Sequence, residues 1–268
     1  MTATASASRT ARERARAELT REIKHEARRQ LAAHGAQGLS LRAVARELGM
    51  VSSALYRYFP SRDELLTALI IDAYDSLGEA AEAADAGCPP ADVRGRWGAT
   101  CHAVRNWALA HPHEYALIYG SPVPGYQAPQ ATIASATRVA RVAGGLVADA
   151  WRETRNAEAG HPGGSGEGRG ASGEGRAASG EGRGASGEGR GSAPASLPPV
   201  LAQQAAIVAD AIAPGVPDAL IARLLIAWTQ LFGMISFELF GQLVGSADPA
   251  DAFFGYAVDQ MADFIGLP

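Results

Sequence analysis

The chain has 268 residues, 47% of them hydrophobic, and a net charge of −4 at pH 7, enough for one large or two small domains with their own cores. Two cysteines, Cys88 and Cys101, exclude a disulfide framework and a cysteine-based metal site, and they suit a reducing cytoplasm. No apolar signal-peptide core follows Met1, and the most apolar run, Ala219–Ile235, is broken by Arg223, Thr229 and Gln230, so neither a leader nor a membrane span is expected.

The charge is unevenly placed. Residues 1–62 hold 12 Arg or Lys against 5 Asp or Glu, whereas the remainder holds 12 against 23. A basic head on an acidic body is expected of a nucleic-acid-binding segment joined to a regulatory domain. Residues 1–14 read as a disordered basic arm, with Arg9, Arg12 and Arg14 either reaching a minor groove or staying solvated. From Ala15 to His34 the spacing of Leu19, Ile23, Ala27 and Leu31 predicts a helix, ended by Gly35 or Gly38. Ser40 is placed to cap a second helix whose apolar face is Leu41, Val44, Ala45 and Leu48. Gly49 breaks it, and Leu55, Tyr58 and Phe59 resume the helical spacing. Pro60 stops this third helix, and Ser61 with Glu64 forms a capping box that opens a fourth. Two short helices around a Gly-containing turn are a helix-turn-helix, whose second helix enters a DNA major groove.

The residues Leu55-Tyr56-Arg57-Tyr58-Phe59 and Ser61-Arg62-Asp63-Glu64-Leu65, preceded by Val44-Ala45 and Gly49-Met50, resemble the DNA-binding domain of the tetracycline-repressor (TetR) family. Two positions depart from the family pattern: Val51 stands where Ser or Thr is common, so the third helix lacks a side-chain cap worth ~1 kcal/mol, and Arg62 stands where Lys is usual. In this reading Ser52, Ser53 and Ala54 face base edges, Tyr56, Arg57 and Tyr58 contact backbone and bases, and Ser40, Arg42 and Arg62 position phosphates.

The fourth helix, from Arg62 through Leu66, Leu69, Ile70, Ala73, Leu77 and Ala81, is long enough to connect this head to a second domain, and Gly87 with Pro89-Pro90 ends it. Helical periodicity follows over Val93–His111, Glu114–Gly120 and Gln130–Arg155. The segment 111–129, dense in Pro, Gly and aromatics, and the segment 227–243 resemble a TetR subgroup with a WHG-type C-terminal domain. From Ser165 a seven-residue unit, SGEGRGA with small variations, recurs four times without apolar a and d positions. Its glycines cannot hold a helix and its Glu and Arg balance, so 160–196 reads as a flexible linker. Helices are expected over Pro198–Ala213, from Asp218 to Val244, and from Pro249 to the end. The last two are apolar on more than one face, which a second copy of the chain would cover. The helices at the corresponding place in the family form a dimeric bundle. Trp228, Ile235, Phe254 and Met261 are the candidate interface residues.

No nucleophile elbow, Walker loop, dinucleotide fingerprint or zinc spacing occurs, and Pro112 between His111 and His113 breaks the spacing that helix-borne ligands need. Neither a metal nor a cofactor is expected. Trp107, His111, Tyr115, Tyr119 and Trp228 are candidates to line an apolar ligand pocket, with an ordinary aromatic core as the alternative. The sequence therefore predicts an all-α fold. A disordered arm (1–14) precedes a three-helix helix-turn-helix domain (15–60) and a larger helical regulatory domain (61–159 and 197–268), which the linker interrupts. The expected function is a cytoplasmic, homodimeric regulator that binds a near-palindromic operator in double-stranded DNA. It is a repressor released by an unidentified small-molecule effector, and not an enzyme. Control by a partner protein, or activation, is the alternative reading, and an enzyme with its site in the helical domain a distant one.

Overall fold

The computed structural model of the chain describes residues 2–159 and 197–268. The repeat and the linker reading of 160–196 lie outside those residues, as does the side chain of Arg9. The described residues form eleven α-helices: α1 (Thr2–His34), α2 (Leu41–Glu47), α3 (Ser52–Leu55), α4 (Arg62–Ala86), α5 (Val93–Ala110), α6 (Pro112–Tyr119), α7 (Ile133–Ala136), α8 (Arg138–Ala159), α9 (Pro199–Ile212), α10 (Asp218–Leu239) and α11 (Asp251–Ile265). No strand occurs among them. The expected all-α class is the observed one.

Local chemistry sets the head's boundaries. The Ser40 hydroxyl accepts from the Ala43 amide at the start of α2, and the Ser61 hydroxyl accepts from the Glu64 amide at the start of α4. Gly49 sits at φ 64°, the left-handed conformation that turns α2 into α3 and that residues with a Cβ adopt only with strain. Val51 precedes α3 without a side-chain cap, and α3 spans four residues before turns carry the chain to Pro60. One expectation is corrected here. Residues 2–14 are not an arm but the first turns of α1, consistent with a stretch that carries four Ala and three Arg, both strong helix formers, and is free of Gly and Pro.

Two cores share one helix. Ile23, Ala27 and Leu31 of α1 pack with Leu41, Val44, Leu55 and Phe59 into the head core, which takes Leu65, Leu66, Leu69 and Ile70 from α4. One turn on, Ala73, Leu77 and Ala81 of the same helix enter the body core with Trp97, Val104, Tyr115, Leu146, Leu231, Ile235 and Phe254. Each fully buried Leu or Ile contributes roughly 1.5–3 kcal/mol, so α4 is anchored at both ends and acts as the connector.

The single helix expected over 130–155 is split by a turn at Thr137 into α7 and α8. Arg138 at that break donates to Glu82 and to Asp75 on α4. Gly144 of α8 lies where a Cβ would stand 2.6 Å from the Ile212 carbonyl oxygen, so α8 and α9 approach closely because that position is glycine. Helix α10 stops at Leu239 rather than Val244, and the turns after it carry Gly241 and Gly245 at φ 74° and 80°. Helix α10 is long and apolar enough to cross a membrane, with a mean hydropathy of 1.6, but Ile221, Leu224, Leu231 and Ile235 bury its face in the body core.

Candidate functional site

The head presents α2 and α3 outward. Leu55 turns into the core, and on the other side Ser53, Tyr56 and Arg57 are exposed, as is Arg42 on the first turn of α2. Ser52 and Ala54 are half-buried at the edges of that face. Ser40 stands at the start of α2, its own amide donating to the Gln30 side-chain oxygen at 3.3 Å. A hydroxyl and two exposed guanidinium-bearing side chains around a short helix are groups that meet phosphate oxygens and base edges.

Two of the expected contact residues face inward. Tyr58 is half-buried against the head core, with the Arg16 guanidinium 5.4 Å from its ring centroid. Arg62 is committed further: its Nε donates to the Leu39 carbonyl at 3.1 Å and an Nη to the Ala36 carbonyl at 2.7 Å. It ties the start of α4 to the turn between α1 and α2, so it holds the head's shape. Arg62→Ala should lower the melting temperature by removing two charge-assisted bonds, each worth about 1.5–3 kcal/mol. Thermal melts should show the loss, with the Arg62→Lys variant intermediate because one ammonium cannot serve both carbonyls in a fixed fork.

A charged cluster that sequence reasoning missed joins head to body. Lys24 and Arg28, one turn apart on α1, both donate to Asp72 of α4 at 2.7 Å, and Arg28 also reaches Glu114 of α6 at 2.9 Å. The one sequence signal is the i, i+4 spacing of two cations beside the buried stripe Ile23–Ala27. Nothing local names their partners, 44 to 86 residues away.

The five residues expected to line a pocket come together, but as packing. Trp107 stacks on His111 at 5.0 Å and donates its indole N–H to Ser76. Tyr115 is fully buried, its hydroxyl donating to the Phe232 carbonyl at 3.0 Å and paired with Ser236 at 2.9 Å. Tyr119 lies 5.2 Å from Tyr115 and 4.2 Å from Phe232, and Phe232 also meets Trp228 at 4.6 Å. Burial raises the pKa of Tyr74, Tyr115 and Tyr119, so all three are neutral phenols. The described cavities are lined by other residues. Two lie on either side of the loop after α6, with volumes near 400 and 430 Å³. The aromatic set is thus the wall behind a cleft, not its lining.

The expected interface residues are corrected in the same way. Ile235, Phe254 and Met261 are buried within the protomer core, and Trp228 is partly buried against it, so at least the first three offer nothing to a second copy. The surplus apolar surface lies on the opposite faces of the same helices: Ile226 and Phe237 along α10 with Phe240 just past its end, and Phe253, Tyr256 and Phe264 along α11. Both thiols are free, Cys101 buried with its pKa raised by that burial and Cys88 half-buried.

Residues 23–69 match the family described as "Bacterial regulatory proteins, tetR family", and residues 97–261 match "Tetracyclin repressor-like, C-terminal domain". The HTH-type transcriptional regulator Rv1816 of Mycobacterium tuberculosis (strain H37Rv) is 52% identical over 130 residues, covering 47% of this chain and 54% of that protein. The regulator Mb1846 of Mycobacterium bovis matches to the same extent. The chain spans about half the length of these curated relatives. Among solved structures, a regulatory protein designated SCO4313 is 30% identical, with 94% of this chain and 98% of that one covered at a TM-score of 0.64. A Rhodococcus sp. RHA1 protein of unknown function (24% identical, 93% and 95% covered, TM-score 0.58) and a tetR family transcription regulator from Shewanella sp. PV-4 (15%, 92% and 96%, 0.52) share the fold.

Proposed function

This chain belongs to the TetR family of transcriptional regulators, and on that premise we propose that it is a cytoplasmic homodimeric repressor whose operator DNA is released when a small molecule binds the helical body. The observation that carries the reading is the mounting of the head. An exposed face of Ser53, Tyr56, Arg57 and Arg42 is fixed to α4, and the far end of α4 is packed in the core of a second domain. Movement of the body along α4 reaches the recognition face directly. Family and relatives point to regulation and not to an enzyme. The aromatic- and Gly-rich residues 111–129 support placing the body in the WHG-type subgroup.

In this proposal Ser52, Ser53 and Ala54 approach base edges, Tyr56 and Arg57 contact backbone and bases, and Ser40 and Arg42 hold phosphates. Tyr58 and Arg62 position the recognition helix from behind. Two heads related by a two-fold axis read a near-palindromic operator with half-sites roughly one helical turn apart, ~34–36 Å. An effector acts by binding the non-DNA conformation better. A coupling of ~1–3 kcal/mol shifts operator affinity about 5–150-fold.

The first experiment is a footprint on DNA flanking the protein's own gene, repeated with a metabolite library. Protection relieved by a compound supports the reading. Protection that no compound in a broad screen relieves supports control by a partner protein instead. Arg42→Ala tests the phosphate role. It should weaken operator and random DNA alike and flatten the log–log salt dependence by about one unit. A change in base preference with an unchanged salt slope counts against that role.

A further inference from the structure

The loop between α6 and α7 is a strap that leaves the body at α6 and packs on the head. It leaves α6 at Gly120, where a Cβ would come within 2.3 Å of the Ala116 carbonyl oxygen, and it turns at Gly125 with φ 77°. Val123 and Tyr126 of the strap pack on the head core, and the Tyr126 hydroxyl pairs with Thr67 of α4 at 2.8 Å. Hollows lie on both sides of it. One, about 400 Å³, is bounded by the end of α1, by His113 and by Phe240; the other, about 430 Å³, opens between the strap, α4 and α7.

The second hollow has a distinct chemistry. Its walls are Ile70 and Tyr74 of α4, Ile118 of α6, Val123 and Tyr126 of the strap, and Ile133 of α7. The polar groups on it are hydroxyls and backbone, and none of its lining residues carries a carboxylate, guanidinium, ammonium or imidazole. Other cavities differ: one carries Asp85, Arg96 and Asp149, another Glu18, Arg21 and His25. A charged ligand placed in the strap cleft would lose water with no counter-charge to meet it, whereas an uncharged one loses little. The volume falls in the range of small-molecule sites, about 300–1,000 Å³. Tyr74 links the cleft to the closed aromatic core behind it: its hydroxyl donates to the Ile118 carbonyl at 3.4 Å and its ring meets Tyr119 edge-on at 6.1 Å.

We propose that the cleft between α4, α7 and the Gly120–Pro129 strap is the effector site, that it takes an uncharged, largely apolar molecule with a hydroxyl or carbonyl group, and that the strap carries the signal to the head. The proposal rests on the effector-released reading above and deepens it. A ligand seated against Tyr74 and Tyr126 presses the strap toward the hollow on its far side. The pairing of Tyr126 with Thr67, the sixth residue of α4 and within the head's share of it, transmits that displacement.

The test uses the full chain and two matched sets of probes, phenol, indole and 2-naphthol against benzoate, indole-3-acetate and 2-naphthoate, titrated by calorimetry at pH 7. At least one uncharged probe should bind at millimolar concentration or below, and its charged counterpart should bind at least about tenfold more weakly. Ala136→Trp, which fills the cleft from α7, should weaken the bound probe at least about tenfold. Ile133 is 56% exposed at the rim, so Ile133→Arg leaves the fold intact and should turn the preference toward 2-naphthoate. Thr67→Val, outside the cleft, should leave probe affinity within about twofold while suppressing the probe's effect on amide hydrogen exchange in residues 39–59. The proposal falls if no uncharged probe binds, if charged and uncharged probes bind alike, or if Ala136→Trp and Ile133→Arg both bind as wild type. A compound that frees operator DNA equally well from folded Ala136→Trp and from wild type refutes the cleft while leaving effector release standing. A probe that occupies the cleft, moves the strap and never alters operator affinity refutes effector release through this site while leaving the uncharged-ligand site standing.

Discussion

Arg105→Ala should lower the melting temperature by about 6–20 °C, the largest loss expected from any single charged residue outside the head. Arg105 is 5% exposed on α5, and each of its three guanidinium nitrogens donates a hydrogen bond. Nε and one Nη form a fork on Glu238 of α10 at 2.7 and 2.6 Å, and the other Nη reaches Asp251 at the start of α11 at 3.0 Å. The same group lies 5.0 Å from the Phe254 ring centroid. One side chain thus fastens three helices of the body. Truncating it strands the partly buried Glu238 carboxylate, at a cost of about 3–5 kcal/mol. For a protein of this size each kcal/mol is worth roughly 2–4 °C.

The variant separates this mechanism from simple loss of volume. Arg105→Met with Glu238→Met, which removes both charges and keeps the packing, should be more stable than Arg105→Ala. The pH profile adds a sign. The hydrogen bond from Arg105 holds the Asp251 pKa below its ordinary value. A group with a depressed folded pKa contributes stability that is present above its unfolded pKa, near 3.9, and is lost as pH falls through the folded value. Wild type should therefore lose that contribution below about pH 4, and Arg105→Ala should show a flatter acid limb. Equal acid limbs in the two proteins would remove Asp251 from the account.

What the sequence reveals is what depends on neighbours. Ser40, Gly49, Pro60 and Ser61 act within four residues of their own position, so the head's helix boundaries are readable without the fold. The 3.6-residue period finds the stripes of α1 and α4 for the same reason. Direction is not local. Arg62 looks like any surface cation of a DNA-binding head, and only the return of α1 past α4 brings the Ala36 and Leu39 carbonyls under it. Periodicity marks Tyr115 and Tyr119 as apolar-facing, yet it cannot distinguish the wall of a cavity from a filled core. The Phe232 carbonyl and Ser236, more than a hundred residues away, consume the Tyr115 hydroxyl. The strap shows the same limit. Its Pro, Gly and aromatic content announces an irregular segment, but a composition cannot say that Tyr126 reaches back to Thr67.

The helices that end the chain have two apolar faces, and Phe237→Glu decides which one meets a second copy. Ile235 and Phe254 fill the protomer core, Phe254 at 1% exposure, while Phe237 and Tyr256 are 54% and 65% exposed. Ile226 and Phe237 are eleven residues apart on α10, with Phe240 just past its end, and Phe253, Tyr256 and Phe264 recur at three and eight along α11, so each helix carries an exposed apolar stripe. If these stripes form the two-fold interface of the proposed dimer, position 237 meets apolar surface across it. A carboxylate there loses its water without gaining a partner, which dissociates the pair and leaves each protomer folded. Sedimentation should show Phe237→Glu as a monomer, with helicity and melting close to those of the wild-type protomer. Operator affinity should fall by about 10²–10⁴, because the second head no longer binds at the high effective concentration that its tether provides, whereas affinity for an isolated half-site should hold. Phe254→Glu is the contrasting variant. It removes a fully buried ring and puts a carboxylate in the core beside an Arg105 already paired with Glu238 and Asp251, so it should unfold the protomer rather than yield a folded monomer. A Phe237→Glu protein that still sediments as a dimer places the interface elsewhere and leaves the exposed stripes to another partner.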